Sequence, residues 1–260
     1  MTENDSTAKA ALAFQAGIDE LAAAIPGSYR ERGAHGTLLA VTHAMVPALN
    51  PILSAAAKPD AAEIAALAEV ADRESGQAPW SIRLRGEPDA EIVRTATRYG
   101  LTTTSRQPFM VVSIEGSGPA RPELASEVRV RRLSGNESDV FAAVLSAGFG
   151  APPEMISAIY TPDVLDNPIV SAYVAENDRG DAVSAGVAFL NDQYLGLANI
   201  STVPEFQRQG HGRALTEAIL RDGHAAGART AYLHASEPSL PFFESIGFST
   251  KEYWTMLSAF

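Results

Sequence analysis

The second half of the chain has the more regular pattern of apolar and polar positions. VRVRRL (128–133) alternates apolar and charged residues, as a half-buried strand does. Val140, Phe141, Val144 and Leu145 then share one face of a helix that Ser134 or Asn136 caps and that runs through Phe149. Pro152 and Pro153 restart a second short helix over 153–165. Three strand-like runs follow, IVSAYVAE (169–176), AVSAGVAFL (182–190) and YLGLANISTV (194–203). The NDRGD between the first two fits a hairpin turn. A helix over 210–226 carries Ala214, Leu215, Ala218, Ile219 and Ala225 on one face. TAYLHAS (230–236) reads as a strand, LPFFESI (240–246) as a short helix and EYWTML (252–257) as a last strand. This order predicts an α/β fold, a mixed sheet with helices on its faces.

The first half is less sharply patterned. Residues 7–25, 61–75 and 90–100 read as helices, and 37–45, 80–84 and 108–113 as strands. Both halves close the same way: strand, helix, then Tyr-Gly-Leu around Gly100 or Ile-Gly-Phe around Gly247, then strand. A glycine just past a helix, where φ is positive, explains each locally. The parallel endings predict two tandem copies of one fold. IEGSGPARPELAS (114–126) is rich in Gly, Pro and small residues and reads as the linker. The predicted domains are 1–113 and 127–260. Trp80 and Phe109 are the expected core aromatics of the first.

Composition removes several classes of function. There is no cysteine, so disulfides, thiolate nucleophiles and cysteine zinc sites are excluded. The net charge is −11, and both halves, divided at Ser126, are acidic. That argues against nucleic acid or an anionic membrane as partner and fits a cationic or neutral small molecule. No apolar run is long enough for a membrane span. The polar, acidic N-terminus lacks the basic start of a secretory signal, so a cytoplasmic location is expected. His35, His43 and His224 share no ligand spacing, and no metal site is expected.

The densest chemistry lies in VPEFQRQGHGRAL (203–215), between a strand and a helix. Backbone N–H groups at a helix start have no internal partners and sit at the positive end of the helix dipole. Gly210 and Gly212 let the loop bring several of them close to one anion. Gln207 to Gly212 therefore reads as a pyrophosphate cradle, with Arg208 and Arg213 adding charge. It is not a Walker loop, since no Gly-Lys-Ser/Thr follows. It is not the dinucleotide Gly-x-Gly-x-x-Gly, because Leu215 holds the third position.

The run GLANISTVPEFQRQGHGRALTEAIL resembles the acyl-CoA-binding motif of the GNAT superfamily of N-acetyltransferases. That motif, Gln/Arg-x-x-Gly-x-Gly/Ala, is met by Gln207, Gly210 and Gly212, and the Val-x-Pro-Glu phrase before it by Val203, Pro204 and Glu205. AYLHASEPSLPFFESIGF is similar to the family's later strand and helix, with Gly247 and Phe248 in its Gly-Phe phrase. The element order from Val128 onward agrees as well. The resemblance implies a splayed sheet that takes the pantetheine arm beside Ser201, Thr202 and Val203. It implies that Arg208, Gln209, Gly210, His211, Gly212 and Arg213 receive the pyrophosphate. It also implies acetyl-CoA as co-substrate and direct attack by an amine, with no covalent enzyme intermediate.

The chain departs from the family at the expected acid. The usual tyrosine, four residues before the glycine of the Gly-Phe pair, is Phe243, which has no proton to give. The asparagine often found seven residues earlier is Ser236. Ser236 is the candidate to hydrogen-bond the sulfur or the pantetheine, and it also reads as a helix N-cap; a water is the other proton source. His234 lies two residues earlier on the same predicted strand face and is a candidate base, or a packed strand histidine. Asn199 and Ser201 share a strand face and are candidates to orient substrate or a relay water. Glu205 is a weaker base candidate, and His211 is expected at phosphate or solvent.

The first half has no counterpart of the loop. The reading is an acyltransferase moving acetyl from acetyl-CoA to an amine, first of a small molecule and second of a protein. Two rivals stand beside it: a non-catalytic acyl-CoA-binding or regulatory protein, and an enzyme of the same fold acting on carrier-protein-linked thioesters.

Overall fold

A computed structural model of the chain describes residues 3–114 and 128–260. The predicted linker, from Glu115 on, lies outside the described residues. In chain order the elements are α1 (Glu3–Ala24), β1 (Tyr29–Arg32), β2 (Leu38–Val41), β3 (Pro51–Ser54), α2 (Ala61–Ser75), β4 (Ser81–Arg85), α3 (Ala90–Arg98) and β5 (Thr103–Ser113). Then come β6 (Arg129–Leu133), α4 (Ser138–Phe149), α5 (Pro153–Ser157), α6 (Pro162–Leu165), β7 (Val170–Glu176), β8 (Ala182–Asn191) and β9 (Tyr194–Thr202). The chain closes with α7 (His211–Ala225), β10 (Thr230–His234), α8 (Leu240–Glu244) and β11 (Ser249–Ser258).

These elements form two compact units. The first comprises Met1–Val111, His234–Glu244 and Ser249–Phe260; the second comprises Val112–Leu233 and Ser245–Phe248. The division is not a single cut at the linker. β11, from the far end of the chain, pairs antiparallel with β4 on one side and β5 on the other, which ties it to the first unit.

In the first unit the strand order is β1-β2-β3-β4-β11-β5. β1, β2 and β3 are antiparallel neighbours, whereas β3 and β4 run parallel. Between those two strands the chain crosses through α2, as a parallel pair requires. Ile64, Leu67, Ala68 and Ala71 fall on one face of α2 and pack on Leu39, Ile52, Ile82 and Leu84. Trp80 belongs to the same core, and Phe109 is fully buried.

In the second unit the order is β10-β9-β8-β7-β6. β6 to β9 form an antiparallel meander, and β9 and β10 run parallel across α7. Helices cover both faces. Leu215 and Ile219 of α7 lie over Gly186, where a Cβ would collide with the Ile200 side chain and meet Leu215 at 3.2 Å. Gly148 of α4 approaches Ser201, whose neighbour Ala185 faces away from Gly186. Adjacent strand residues point to opposite faces, so α4 and α7 sit on opposite sides of the sheet. The helix predicted over 153–165 is two, α5 and α6. Pro162 has no N–H to continue a helix, and Thr161 caps a new one through its side chain.

Candidate active site

The geometry of the second unit centres on the end of β9. β9 and β10 are paired from Tyr194↔Thr230 to Gly196↔Tyr232. Among the described residues no β10 partner is recorded past Gly196, yet β9 continues to Thr202. The two strands part, and the stretch from Leu197 to Thr202 faces the gap with one backbone edge. An open strand edge of this kind is a template for an extended ligand with amide groups.

A bulge lies at the point of parting. On β8 Ala185 pairs with Ser201 and Val187 with Ala198, so Asn199 and Ile200 together oppose Gly186. Asn199 takes a left-handed φ of 53°, which asparagine tolerates better than most residues. Its amide Nδ2 donates to the Tyr160 hydroxyl. Tyr160 is 3% exposed and stacks edge-on against Phe141 at 5.0 Å. Burial pushes the Tyr160 phenol well above its ordinary pKa, while the Asn199 bond acts the other way. The phenol is therefore a neutral fixed post, and it aims the Asn199 amide.

Beyond β9 the loop is held by its own side chains. The Gln207 amide donates to the Thr202 carbonyl at 3.1 Å, and the Gln209 amide to the Glu205 carbonyl at 2.9 Å. Ser184 Oγ donates to the Ser201 carbonyl at 2.8 Å and lies 2.9 Å from Thr202 Oγ1. The Val203 amide donates to the Val183 carbonyl at 2.9 Å. Arg208 has a φ of 64° and Gly210 a φ of 92°. Ala214 N donates to Gly210 O, the first turn of α7, so the N–H groups ahead of Ala214 lack intrahelical partners.

No side chain caps this helix, and its first turn carries no acid. Nothing lies within 4 Å of the position a Gly210 Cβ would take, so the mouth is clear. Gln207, Arg208, Gln209 and Gly210 are exposed. His211 differs from its sequence expectation. Its ring is 6% exposed and turned inward, with Nδ1 3.3 Å from the Phe206 carbonyl, so only its backbone N–H is offered outward. Arg213 Nη2 donates to Ser245 Oγ at 2.5 Å, which anchors the guanidinium at the helix start.

Ser236 and His234 fall in the first unit. β10 ends at His234, so the strand alternation that would put both on one face does not reach Ser236. Ser236 is exposed and opens a short turn, with its Oγ donating to Ser239 Oγ at 2.9 Å. His234 is half-buried between Phe109 and Trp254, with its Nε2 enclosed. Burial, and then the Arg83 charge, push its pKa well below the ordinary histidine value, so the ring is neutral at pH 7. Phe243 is buried in α8.

Residues 168–250 match a family model described as an acetyltransferase (GNAT) domain. Residues 168–250 form a GNAT domain. The match begins just before β7 and takes in the bulge, the open edge, the loop and α7. The whole chain is similar in fold to a GCN5-related N-acetyltransferase from Kribbella flavida, at 19% identity and a TM-score of 0.68, covering 97% of this chain and 95% of that one. A functionally unknown conserved protein from Staphylococcus epidermidis is similar over 90% of this chain and 94% of its own, with 15% identity and a TM-score of 0.61. A GCN5-related N-acetyltransferase from Sphaerobacter thermophilus is similar over 74% and 67%, with 13% identity and a TM-score of 0.54. Comparison with curated proteins finds no match.

The GNAT domain thus contains every loop residue singled out in the sequence, together with Asn199, Ser201, Thr202 and Val203. Tyr160, Ser184 and Gly148 were not singled out. Only the three-dimensional fold brings Tyr160 to Asn199, across 39 residues of chain. Among the described residues there is no group of acids and histidines able to hold a metal ion, and no helix long and apolar enough to cross a membrane.

Proposed function

We propose that the protein is an acyl-CoA-dependent N-acetyltransferase that moves acetyl from acetyl-CoA to a primary amine of a small molecule. One observation carries the reading: the parted β9 edge leads directly into a glycine-bounded, acid-free helix start. An amide-bearing arm fits the first, and a pyrophosphate fits the second. Ser201, Thr202 and Val203 offer backbone groups to the arm. Gln207 to Arg213 offer backbone N–H groups and charge to the phosphates. Acetyl-CoA supplies an activated thioester, which a neutral amine attacks directly.

The chain's own tasks are positioning and proton handling. Asn199, fixed by Tyr160, holds a polar group at the parting of the strands. Ser236 is assigned the hydrogen bond to the leaving sulfur that Phe243 cannot make. His234, neutral at pH 7, is the base candidate ahead of Glu205, and a water is the alternative acceptor of the amine proton. The acidic surface favours a cationic acceptor approaching from solution.

Calorimetric titration with acetyl-CoA, CoA and 3′-dephospho-CoA tests the reading. Micromolar affinity followed by turnover in a screen of amines supports it. Binding without turnover on any amine moves the protein to the regulatory class, and absence of binding at millimolar ligand rejects the cradle. Ser236→Ala is expected to lower kcat about tenfold, one lost hydrogen bond to charge, with little change in acetyl-CoA affinity. Equal loss in both, or none, takes Ser236 out of the chemistry.

A further inference from the structure

The first unit holds a buried positive charge without a counter-charge. Arg83, in the middle of β4, is 7% exposed. Its Nη2 donates to Gln107 Oε1 at 2.6 Å, and its guanidinium lies 4.7 Å from the centre of the Phe14 ring. Among the described residues no carboxylate pairs with it. Glu252, on neighbouring β11, is already committed: it accepts from Arg85 Nη2 at 2.6 Å and from Trp254 Nε1 at 2.8 Å. A buried charge is costly to keep unless something neutralises it. Burial lowers the Arg83 pKa to about 10, so the charge is still present at pH 7.

The charge is not the only unsatisfied group on that sheet face. Arg83 and Ser105 both oppose Met256, one from each side of β11, and so share its face. Gln107 and Phe109 follow Ser105 in steps of two and share it too. Arg83 Nε, Ser105 Oγ and His234 Nε2 are all enclosed and without a hydrogen-bond partner. Three orphaned polar atoms in one small region point to a missing ligand. The remaining walls are aromatic. His234 has Phe14 at 4.6 Å, Phe109 at 4.8 Å and Trp254 at 5.2 Å. Phe109 and Trp254 are fully buried, whereas Phe14 and His234 are half-buried and give the cage a side towards solvent.

We propose that this cage in the first unit binds a small monocarboxylic acid with an apolar body, held through Arg83. Water satisfies a hydroxyl or an imidazole but leaves the guanidinium charge unbalanced. One arginine beside a neutral histidine balances a single negative charge. A phosphate dianion would bring a second one into aromatic surroundings with nothing to meet it. The planar guanidinium suits a planar carboxylate, and the rings suit an apolar body. The site lies wholly in the first unit and shares only His234 with the acyl-CoA reading, so benzoate binding and acetyl-CoA binding are measured separately.

The test uses benzoate as probe, with benzamide and inorganic phosphate as controls, titrated calorimetrically into the full chain. Benzoate is expected to bind, and benzamide and phosphate at least about tenfold more weakly, the loss of one charge-assisted contact. Arg83→Met should lose benzoate affinity by about tenfold or more without lowering Tm, because an apolar residue replaces an unpaired charge. Ser105→Ala keeps the charge and should weaken benzoate a few-fold, which keeps the test sharp if Arg83→Met fails to fold. In the intact protein, benzoate should shift the NMR signal of the Arg83 Nε–H group. Three outcomes overturn the proposal: no benzoate binding at millimolar concentration, undiminished binding in a folded Arg83→Met variant, or phosphate binding as tightly as benzoate.

Discussion

The two units contain the same local construction, and one of them has closed it. In each, a meander strand leads through a helix into a parallel strand: β3-α2-β4 in the first and β9-α7-β10 in the second. α2 starts with Asp60, whose Oδ1 accepts from Ala62 N at 2.9 Å and Glu63 N at 3.0 Å. Glu63 follows in its first turn and accepts from His35 N at 2.5 Å and Thr37 N at 3.0 Å. That carboxylate lies where a Cβ on Gly33 would have to go. α7 starts with Gly210, has no side-chain cap and has no acid in its first turn. The strands differ in the same sense. β3 is paired with β4 along all of Pro51 to Ser54, whereas β9 leaves β10 after Gly196 and bulges at Asn199. The first unit satisfies its helix start with its own carboxylates and its strand edge with its own neighbour. The second leaves both open. A helix dipole is common to both; what separates a structural helix start from an anion site is whether the protein has already supplied the anion.

The sharpest way to break the comparison is to give α7 the charge that α2 carries. Gly210→Asp places a carboxylate at the clear mouth of the loop and should weaken acetyl-CoA binding by roughly 100-fold, about 3 kcal/mol. Gly210→Asn has nearly the same shape and tolerates the positive φ about as well, but carries no charge. It should cost about tenfold or less. Calorimetry on the pair separates charge from bulk. Equal losses would mean that the glycine is needed only for space, and that the closed helix start of α2 explains nothing about the missing cradle.

The second perturbation removes the bulge's polar group and leaves its backbone free. Asn199→Gly retains easy access to the left-handed conformation but deletes the amide and strands the buried Tyr160 hydroxyl. Stability should fall by about 1–3 kcal/mol, the usual consequence of an unsatisfied buried donor or acceptor. Tyr160→Phe, which removes the hydroxyl itself, should restore part of that stability in the double variant. If Asn199 also positions the reacting groups, kcat stays low in the double variant while Tm recovers. Recovery of both would make Asn199 purely structural.

The fold was legible where apolar runs are closed off by turn residues. The five strands of the second unit and α7 lie within one or two residues of their predicted positions, because β6 alternates, β7 to β10 are short apolar runs between turns, and α7 has a single apolar stripe. β1 and β3 escaped notice. YRER is mostly charged, and PILS begins with a proline and has only four residues, too short for a period to show. The return of β11 to the first unit was hidden for a different reason: strand partners across the whole chain leave no local trace. The uncapped helix start at Gly210 was legible because an open backbone turn demands particular residues, here glycines at fixed spacing. Arg83 was not, since an arginine in a strand reads as an exposed position until its neighbours are known.

The smallest expected effect sharpens the comparison from the other side, by opening α2. Hydrogen bonds from the Glu63 amide and from His35 hold the Asp60 carboxyl below its ordinary pKa of 3.8. For Glu63, burial acts upward, but the hydrogen bonds from Thr37 and His35 win and hold it below 4.5. A carboxyl whose folded pKa is depressed stabilises the fold above its unfolded pKa, and that contribution is lost as pH falls. The window therefore opens near pH 4.5 and continues downward through the lowered folded values. Asp60→Asn with Glu63→Gln should lower Tm by a few degrees at pH 7. The gap to the unaltered protein should narrow steadily below about pH 4, measured by thermal melts across the acid range. Acetyl-CoA affinity should not change, because α7 is untouched. A gap that stays constant with pH would mean that these two acids merely fill space. A variant that gained a second acetyl-CoA site would mean that carboxylates at a helix start are all that stands between the first unit's architecture and the second's.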